Sequence, residues 1–270
     1  MNKLHIPPLD EQAAKAALEH QKILAKPPLA LGKLEPVAIQ IAAMTGNPAP
    51  RLKNKAVVLF ASDHHIADHG LSLTSTDVTY IQTRNFLQGG GTINAFTRNA
   101  GARLTVVDVG VNYDFGDLPG LVKRKVMHGA NDFSKGPAMT REQALECLQV
   151  GIDIAREEKA RGLDIVAAGE MGIGNTTPSS AIVAVLTGTP VETVTGRGSG
   201  VKGEVIRKKI ELIERGIALN KPDPADAIDV LAKVGGPEIG AMAGLMLGAA
   251  SLRVPIVIDG FIAGAAAAIA

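Results

Sequence analysis

This sequence predicts a Rossmann-like α/β fold: a mainly parallel sheet flanked by helices, with a small helical part in front. Three observations carry that reading. Apolar runs of strand length alternate with longer helical stretches, the pattern of βαβ units. The first strand run, Ala56–Ala61, is apolar throughout, as a strand covered on both faces must be. Hydrophobic residues reach 46% while aromatic residues are only 3%, so the core is built from Ala, Val, Ile and Leu.

The elements follow in order. Asp10 to Leu24 has helical spacing, and Pro27-Pro28 ends it. Leu34 to Met44 reads as a second helix, closed by the turn Gly46-Asn47-Pro48. Residues 1–54 are thus a helical lead-in, part of a smaller domain, and residues 55–270 form the Rossmann-like domain. There Ala56–Ala61 is a buried strand ending in polar Ser62-Asp63-His64. Helices Thr76–Leu87 and Thr92–Ala100 flank Gly89-Gly90-Gly91, and strand Arg103–Gly110 follows. Helix Arg141–Arg161 leads to strand Leu163–Ala168, then to helix Ser179–Thr187. Helices Lys202–Asn220 and Glu238–Ala250 precede a last strand, Pro255–Ile258. In such sheets the ligand lies beyond the carboxyl ends of the strands. Asp63, Asp108, Gly169-Glu170 and Asp259 all fall at or just past strand ends, so they are expected to gather on one rim.

Composition removes several function classes. Lys and Arg total 28 against 27 for Asp and Glu, which leaves no electrostatic footprint for nucleic acid or an anionic membrane. With two tyrosines, six phenylalanines and no tryptophan, base stacking has little to work with. A single cysteine, Cys147, allows no intrachain disulfide and reads as a small buried thiol in a helix, in a reducing compartment. The first residues carry no hydrophobic signal core, and Val254–Ala270 is too short and too interrupted to span a bilayer. The cytoplasm is the expected location.

The strongest chemical signal is Gly169-Glu170-Met171-Gly172-Ile173-Gly174-Asn175-Thr176-Thr177-Pro178. It joins a strand to a helix, with Pro178 suited to the first helical turn and Thr176 or Thr177 to the N-cap. Glycines allow a sharp turn and close approach of a ligand, and free amides at a helix start favour phosphate. Glu170 beside them suits orientation of a ribose hydroxyl or acceptance of a proton. A tight turn without a ligand is the plain alternative. A second small-residue loop, Gly196-Arg197-Gly198-Ser199-Gly200, opens onto the helix bearing Arg207, Lys208 and Lys209. These cations either complete a phosphate site or form a solvated face. Asp63-His64-His65 with Asp108 suggests a metal-dependent phosphoesterase, although no second His-rich segment accompanies it. Hydrogen bonding at the strand end is the simpler role.

Taken in order, seven stretches carry a family resemblance. They are Leu24–Pro28 with Leu31–Glu35, Ala61–His64, Val106–Gly110, Pro137–Thr140, Gly169–Thr177, Gly235–Glu238 and Val257–Phe261. The chain resembles the nicotinate-nucleotide:dimethylbenzimidazole phosphoribosyltransferase family, which makes the lower-ligand nucleotide of cobalamin. The resemblance implies that nicotinate mononucleotide and 5,6-dimethylbenzimidazole yield α-ribazole 5′-phosphate and nicotinate, with inversion at C1′ and with no metal or other cofactor. It further implies that Thr74, Gln82 and Met171 line the benzimidazole pocket and that Gly174, Asn175, Thr176, Thr177 and Lys209 hold the phosphate. Glu170 matches a carboxylate near the reacting centre, and a homodimer is the family's usual state.

Two departures stand out. His65 replaces the glycine of the family's Asp-His-Gly, which bears on the choice of acceptor. The family's principal base lies in an Arg-Leu-Gly-Glu-Gly stretch that does not occur here, and the apolar helix begun at Ile262 ends without a cap. The sequence therefore predicts a chain stopping short of that base, binding ribotide better than it turns it over. A non-catalytic ribotide-binding partner is the alternative.

Overall fold

The computed structural model describes residues 4–198, 200 and 203–270. Two helices come first, α1 (Glu11–Ile23), capped by Asp10, and α2 (Leu34–Thr45), and they pack on each other. Then follow β1 (Lys55–Ser62), a 3-10 turn (His65–His69), α3 (Val78–Leu87), α4 (Thr92–Ala100), β2 (Ala102–Gly110) and β3 (Leu121–Lys123). Next come α5 (Arg141–Ala160), β4 (Ile165–Met171), α6 (Thr176–Thr187) and α7 (Val191–Val194). The last elements are α8 (Glu204–Asn220), α9 (Ala227–Val234), α10 (Pro237–Ser251), β5 (Ile256–Val257) and α11 (Phe261–Ile269).

All strands are parallel, in the order β3-β2-β1-β4-β5. The chain builds outward from β1 through β2 to β3, then crosses back to lay β4 on the other side of β1. Between β1 and β4 the winding reverses, and the crevice at their carboxyl ends is the place where such sheets bind ligands. The α/β, mainly parallel reading of the sequence is what the structure has.

Side-chain alternation divides the packing. Ala56, Val58 and Phe60 of β1 point into the larger core with α5 and α10, while Leu59 and Ala61 join Val106 in a smaller core under α3 and α4. Helix α10 is buried along nearly its whole length, and glycine makes that possible. A Cβ on Gly151 of α5 would collide with the Ala241 carbonyl, and one on Gly244 with that of Leu148. The two helices therefore touch backbone to backbone, which fixes where α10 begins.

Candidate active site

Strand β4 pairs with β1 as far as Ala61–Met171, so Gly169, Glu170 and Met171 belong to the strand and the expected end at Ala168 was short. The turn proper is Gly172–Asn175. A Cβ on Gly172 would lie 2.6 Å from the Ser62 carbonyl oxygen, and Gly174, at φ +89°, would place one 2.7 Å from the Ala67 Cβ. Both positions require glycine. The expected N-cap at Thr176 or Thr177 is corrected: both lie inside the first turn of α6, and Asn175 holds the cap position. Asn175 caps nothing with its side chain, which instead donates from Nδ2 to Glu170 Oε2 at 2.6 Å. Among the described residues the Gly174 and Thr176 amides donate to no acceptor, and the buried Thr177 hydroxyl has no partner. These polar groups cluster at the positive end of α6.

Lys209 reaches this turn from α8. It lies on the helix's buried stripe with Leu212, Ile213 and Gly216, and its Nζ donates to Thr176 Oγ1 at 2.6 Å. Among the described residues no carboxylate comes within 4.0 Å of the ammonium, and burial pushes it down to about 8. Its neighbours face elsewhere: Arg207 lies 4.0 Å from Glu204 and Lys208 donates to the His69 carbonyl. A Cβ on Gly198, at φ +52°, would lie 3.0 Å from Thr176 Oγ1 and 3.7 Å from Lys209 Nζ, so the second small-residue loop closes over the same spot. Ser199 and Lys202 lie outside the described residues. Beside Gly198 opens a cavity of 570 Å3 lined by Thr176, Thr193, Val194, Thr195, Gly198 and Phe261, among others. That is within the range of about 300–1,000 Å3 that small-molecule sites occupy.

Glu170 pairs in register with Phe60 and so faces the α10 side of the sheet. Burial pushes its carboxyl up; Asn175 opposes that, Glu238 adds to it and His64 opposes it. Behind the turn His64 Nε2 donates to Glu238 Oε1 at 2.6 Å, the two side chains being 1% and 0% exposed. Burial alone pushes the His64 imidazole down, but Glu238, Asp63 and Glu170 outweigh it and hold the ring above its ordinary value. Asp63 Oδ2 accepts from the Asn112 amide at 2.8 Å. Burial raises the Asp63 carboxyl, against the Thr79 hydroxyl and that amide.

The expected rim forms only in part. Asp63 and His64 line one cavity of 170 Å3 with His65, Asp68, Asp77 and Tyr80, among others. Asp108 is turned to the Val111 amide at 2.9 Å and Lys125 at 3.3 Å. Asp259 is exposed after β5 and bonded to none of the others among the described residues. Asp63, His64 and Asp108 therefore do not converge as ligands, and no group of three His, Cys, Asp or Glu among the described residues could hold a metal ion.

Met171 points the opposite way from Glu170, in register with Ala61, and packs with Tyr80 and Phe86 in the smaller core. Gln82 on α3 is half-buried, accepts from Asn85 Nδ2 at 3.0 Å and borders, with Tyr80, a cavity of 370 Å3. Thr74 is exposed in the loop before α3, its hydroxyl 3.2 Å from that of Ser72. No hydrogen bond joins the three among the described residues, but all belong to α3 or its surroundings. The Ile173 amide ties α3 to the turn by donating to Thr79 Oγ1 at 3.2 Å. His65 bends over the adjacent cavity, with Nδ1 3.3 Å from Asp68 and Nε2 3.2 Å from the His128 carbonyl.

Sequence reasoning missed Glu238 as a site residue. The signal was there: it is the one charged residue of α10, placed just after Gly235-Gly236-Pro237. It also missed the phase of Lys209, which recurs with Leu212, Ile213 and Gly216 at helical spacing and so belongs to the inward face.

Fold and site together define a Rossmann-like protein whose switch-point turn, with its free amides and buried lysine, suits a phosphorylated ligand. A family model described as phosphoribosyltransferase, DBI_PRT, matches residues 6–270, and the chain belongs to that family. Among its relatives, the nicotinate-nucleotide–dimethylbenzimidazole phosphoribosyltransferase of Roseiflexus sp. (strain RS-1) is 53% identical over 98% of this chain and 75% of its own. The protein of the same name from Geobacter sulfurreducens (strain ATCC 51573 / DSM 12127 / PCA) is 51% identical over 97% and 75%. The crystal structure of CobT from Thermus thermophilus superposes with a TM-score of 0.91 at 42% identity, over 96% of this chain and 77% of that one.

Proposed function

We propose that this chain transfers the 5-phosphoribosyl group of nicotinate mononucleotide to the ring nitrogen of 5,6-dimethylbenzimidazole or a related aromatic base. The products are nicotinate and α-ribazole 5′-phosphate, a precursor in cobalamin synthesis. The observation that carries the reading is Lys209, buried, without a carboxylate among the described residues, and bonded to Thr176 at the start of α6. A buried cation left unpaired is costly unless an anion arrives. The ribotide's 5′-phosphate supplies that anion, received by Lys209 and by the Gly174–Thr177 backbone and hydroxyls.

The chemistry then needs little more than alignment. The C1′–N bond to nicotinate breaks, its electron pair neutralising the cationic pyridinium, while the benzimidazole nitrogen forms the new bond from the opposite face. The azole N–H proton must leave as that bond forms. Glu170 is the carboxylate beside the turn, and burial raises its affinity for protons, which favours accepting one. Thr74, Gln82 and Met171, around α3, are assigned to the aromatic acceptor. On this reading residues 1–54 belong to a smaller domain and 55–270 to the catalytic one, and the molecule acts as a cytoplasmic homodimer.

The test is incubation of the chain with nicotinate mononucleotide and dimethylbenzimidazole, with chromatography for α-ribazole phosphate. Nucleotide binding with slow product formation is expected, because the Arg-Leu-Gly-Glu-Gly stretch does not occur in this sequence, and the remaining turnover should fall in Glu170→Gln. Tight nucleotide binding with no product at any pH would overturn the enzymatic reading in favour of a ribotide-binding partner. Light scattering giving a monomer would remove the dimer.

A further inference from the structure

We propose that Phe261 is the binding face for the pyridinium ring of the nucleotide, its aromatic side chain meeting that ring's positive charge across the cavity from the phosphate turn. This rests on the phosphate role proposed for Lys209 and Thr176, and not on which group takes the acceptor's proton.

The aromatic residues are few, and their placement singles this one out. Of six phenylalanines and two tyrosines, Phe60 and Phe133 are buried in the larger core. Phe86, Phe115, Tyr80 and Tyr113 pack against the smaller one. Phe96 and Phe261 are left exposed, at 70% and 42%. Phe96 lies on α4 and borders none of the cavities described above. Phe261 lines the 570 Å3 cavity together with Thr176.

The topology explains how those two residues meet. Strands β4 and β5 are parallel neighbours, so the helices that follow them start at the same rim. Thr176 is the first residue of α6 and Phe261 the first of α11, and the two helices pack on each other. Packed helices lie about 8–10 Å apart, a span that one ribose can bridge with phosphate at one end and a ring at the other. Gly260, at φ +88°, turns the chain into α11 through a conformation that favours glycine.

The ring to be accommodated is charged. In nicotinate mononucleotide the pyridine nitrogen is bonded to C1′ and is formally positive. Among the described residues no Asp or Glu lines this cavity; Phe261 shares it with threonines, glycines and Val194. The electron-rich face of an aromatic ring attracts a cation where no carboxylate is present. When the C1′–N bond breaks, its electron pair returns to the ring nitrogen and the positive charge on the ring disappears. The contact then weakens. The same side chain thus favours the nucleotide that arrives over the nicotinate that leaves.

Calorimetry on the 270-residue chain with three probes tests the assignment. The first is nicotinate mononucleotide. The second is uridine 5′-monophosphate, which carries a neutral six-membered ring on the same ribose phosphate. The third is ribose 5-phosphate, which has no ring. Phe261→Leu keeps an apolar side chain and removes the π face, and the Kd for nicotinate mononucleotide should rise about fivefold or more. The Kd for ribose 5-phosphate should stay the same, and that for uridine 5′-monophosphate should change less than that for the cationic ring. Phe261→Tyr should keep wild-type binding, and Phe96→Leu should leave all three probes unaffected. In proton spectra, the pyridinium signals should move upfield on binding to wild type and lose most of that movement in Phe261→Leu.

Unchanged affinity for nicotinate mononucleotide in Phe261→Leu overturns the proposal, as does an equal loss for the cationic and the neutral ring. A different result marks failure of the phosphate reading: wild type then binds ribose 5-phosphate no better than Lys209→Met does, and the assignment of Phe261 falls with it.

Discussion

Glu158 and Lys209 are both 1% exposed, yet the two ends of the sheet treat their buried charges in opposite ways. At the amino end, Glu158 accepts from Arg103 at 2.9 Å, Thr105 at 2.8 Å and Arg161 at 2.8 Å. These partners overcome burial and hold its carboxyl below the ordinary value. At the carboxyl end, Lys209 has one hydroxyl and no counter-charge among the described residues, and burial lowers its proton affinity unopposed. A charge satisfied within the chain is architecture. A buried charge left open identifies the place where something outside the chain completes the structure.

Breaking each charge separately tests that contrast. Glu158→Ala leaves two partly exposed arginines and a buried threonine without their acceptor, and should cost stability by about 1–3 kcal/mol, read as a lower denaturation midpoint. Nucleotide KM should not change. Lys209→Met should do the reverse, raising KM for nicotinate mononucleotide by about thirtyfold or more while leaving the unliganded protein as stable or more so. Comparable destabilisation of the two variants would erase the distinction. Gly174→Ala, forced at φ +89° against Ala67, should cost about 1–3 kcal/mol and weaken nucleotide binding too, because the strain falls on the turn itself.

The smallest effect is the proton count. Lys209 sits at about 8 when folded and unliganded against a reference of 10.5, so between those values the unfolded chain binds more protons than the folded one. Stability should therefore gain from Lys209 as pH rises from about 8 towards 10.5, the opposite of a lysine held by an ion pair. Phosphate binding should raise its proton affinity again. Calorimetry near pH 8.5 in buffers of different ionisation enthalpy should register proton uptake with the nucleotide, and release or no exchange would contradict the open-charge reading.

The sheet was legible because its central strands announce themselves. Ala56–Ala61 is apolar without a break, and Arg103–Gly110 gathers Leu104, Val106, Val107 and Val109 in one strand-length run. Strand β4 was read short since Gly169 and Glu170 look like turn residues, and only pairing with Leu59 and Phe60 keeps them extended. The three-residue β3 has too little sequence to signal, and its place depends on the pairing of Leu121, Val122 and Lys123 with Val106, Val107 and Asp108 of β2. Helix α9 hid behind a stretch rich in Pro and Asp, although Asp226 caps it by accepting from Ile228 and Asp229 amides. The glycine turn was visible as a motif. The His64–Glu238 contact was not, because it joins residues 174 positions apart and only the packed α5–α10 layer brings them together.

Adjacent residues of β4 send Glu170 to the α10 side and Met171 to the α3 side. On the proposed assignments, recognition of the incoming ring and handling of its proton are thereby separated by the thickness of a peptide plane. Descendants of this scaffold are free to remodel the α3 side for bases of other widths without rewriting the acid–base apparatus. A single-residue insertion in the strand would swap the two roles at once.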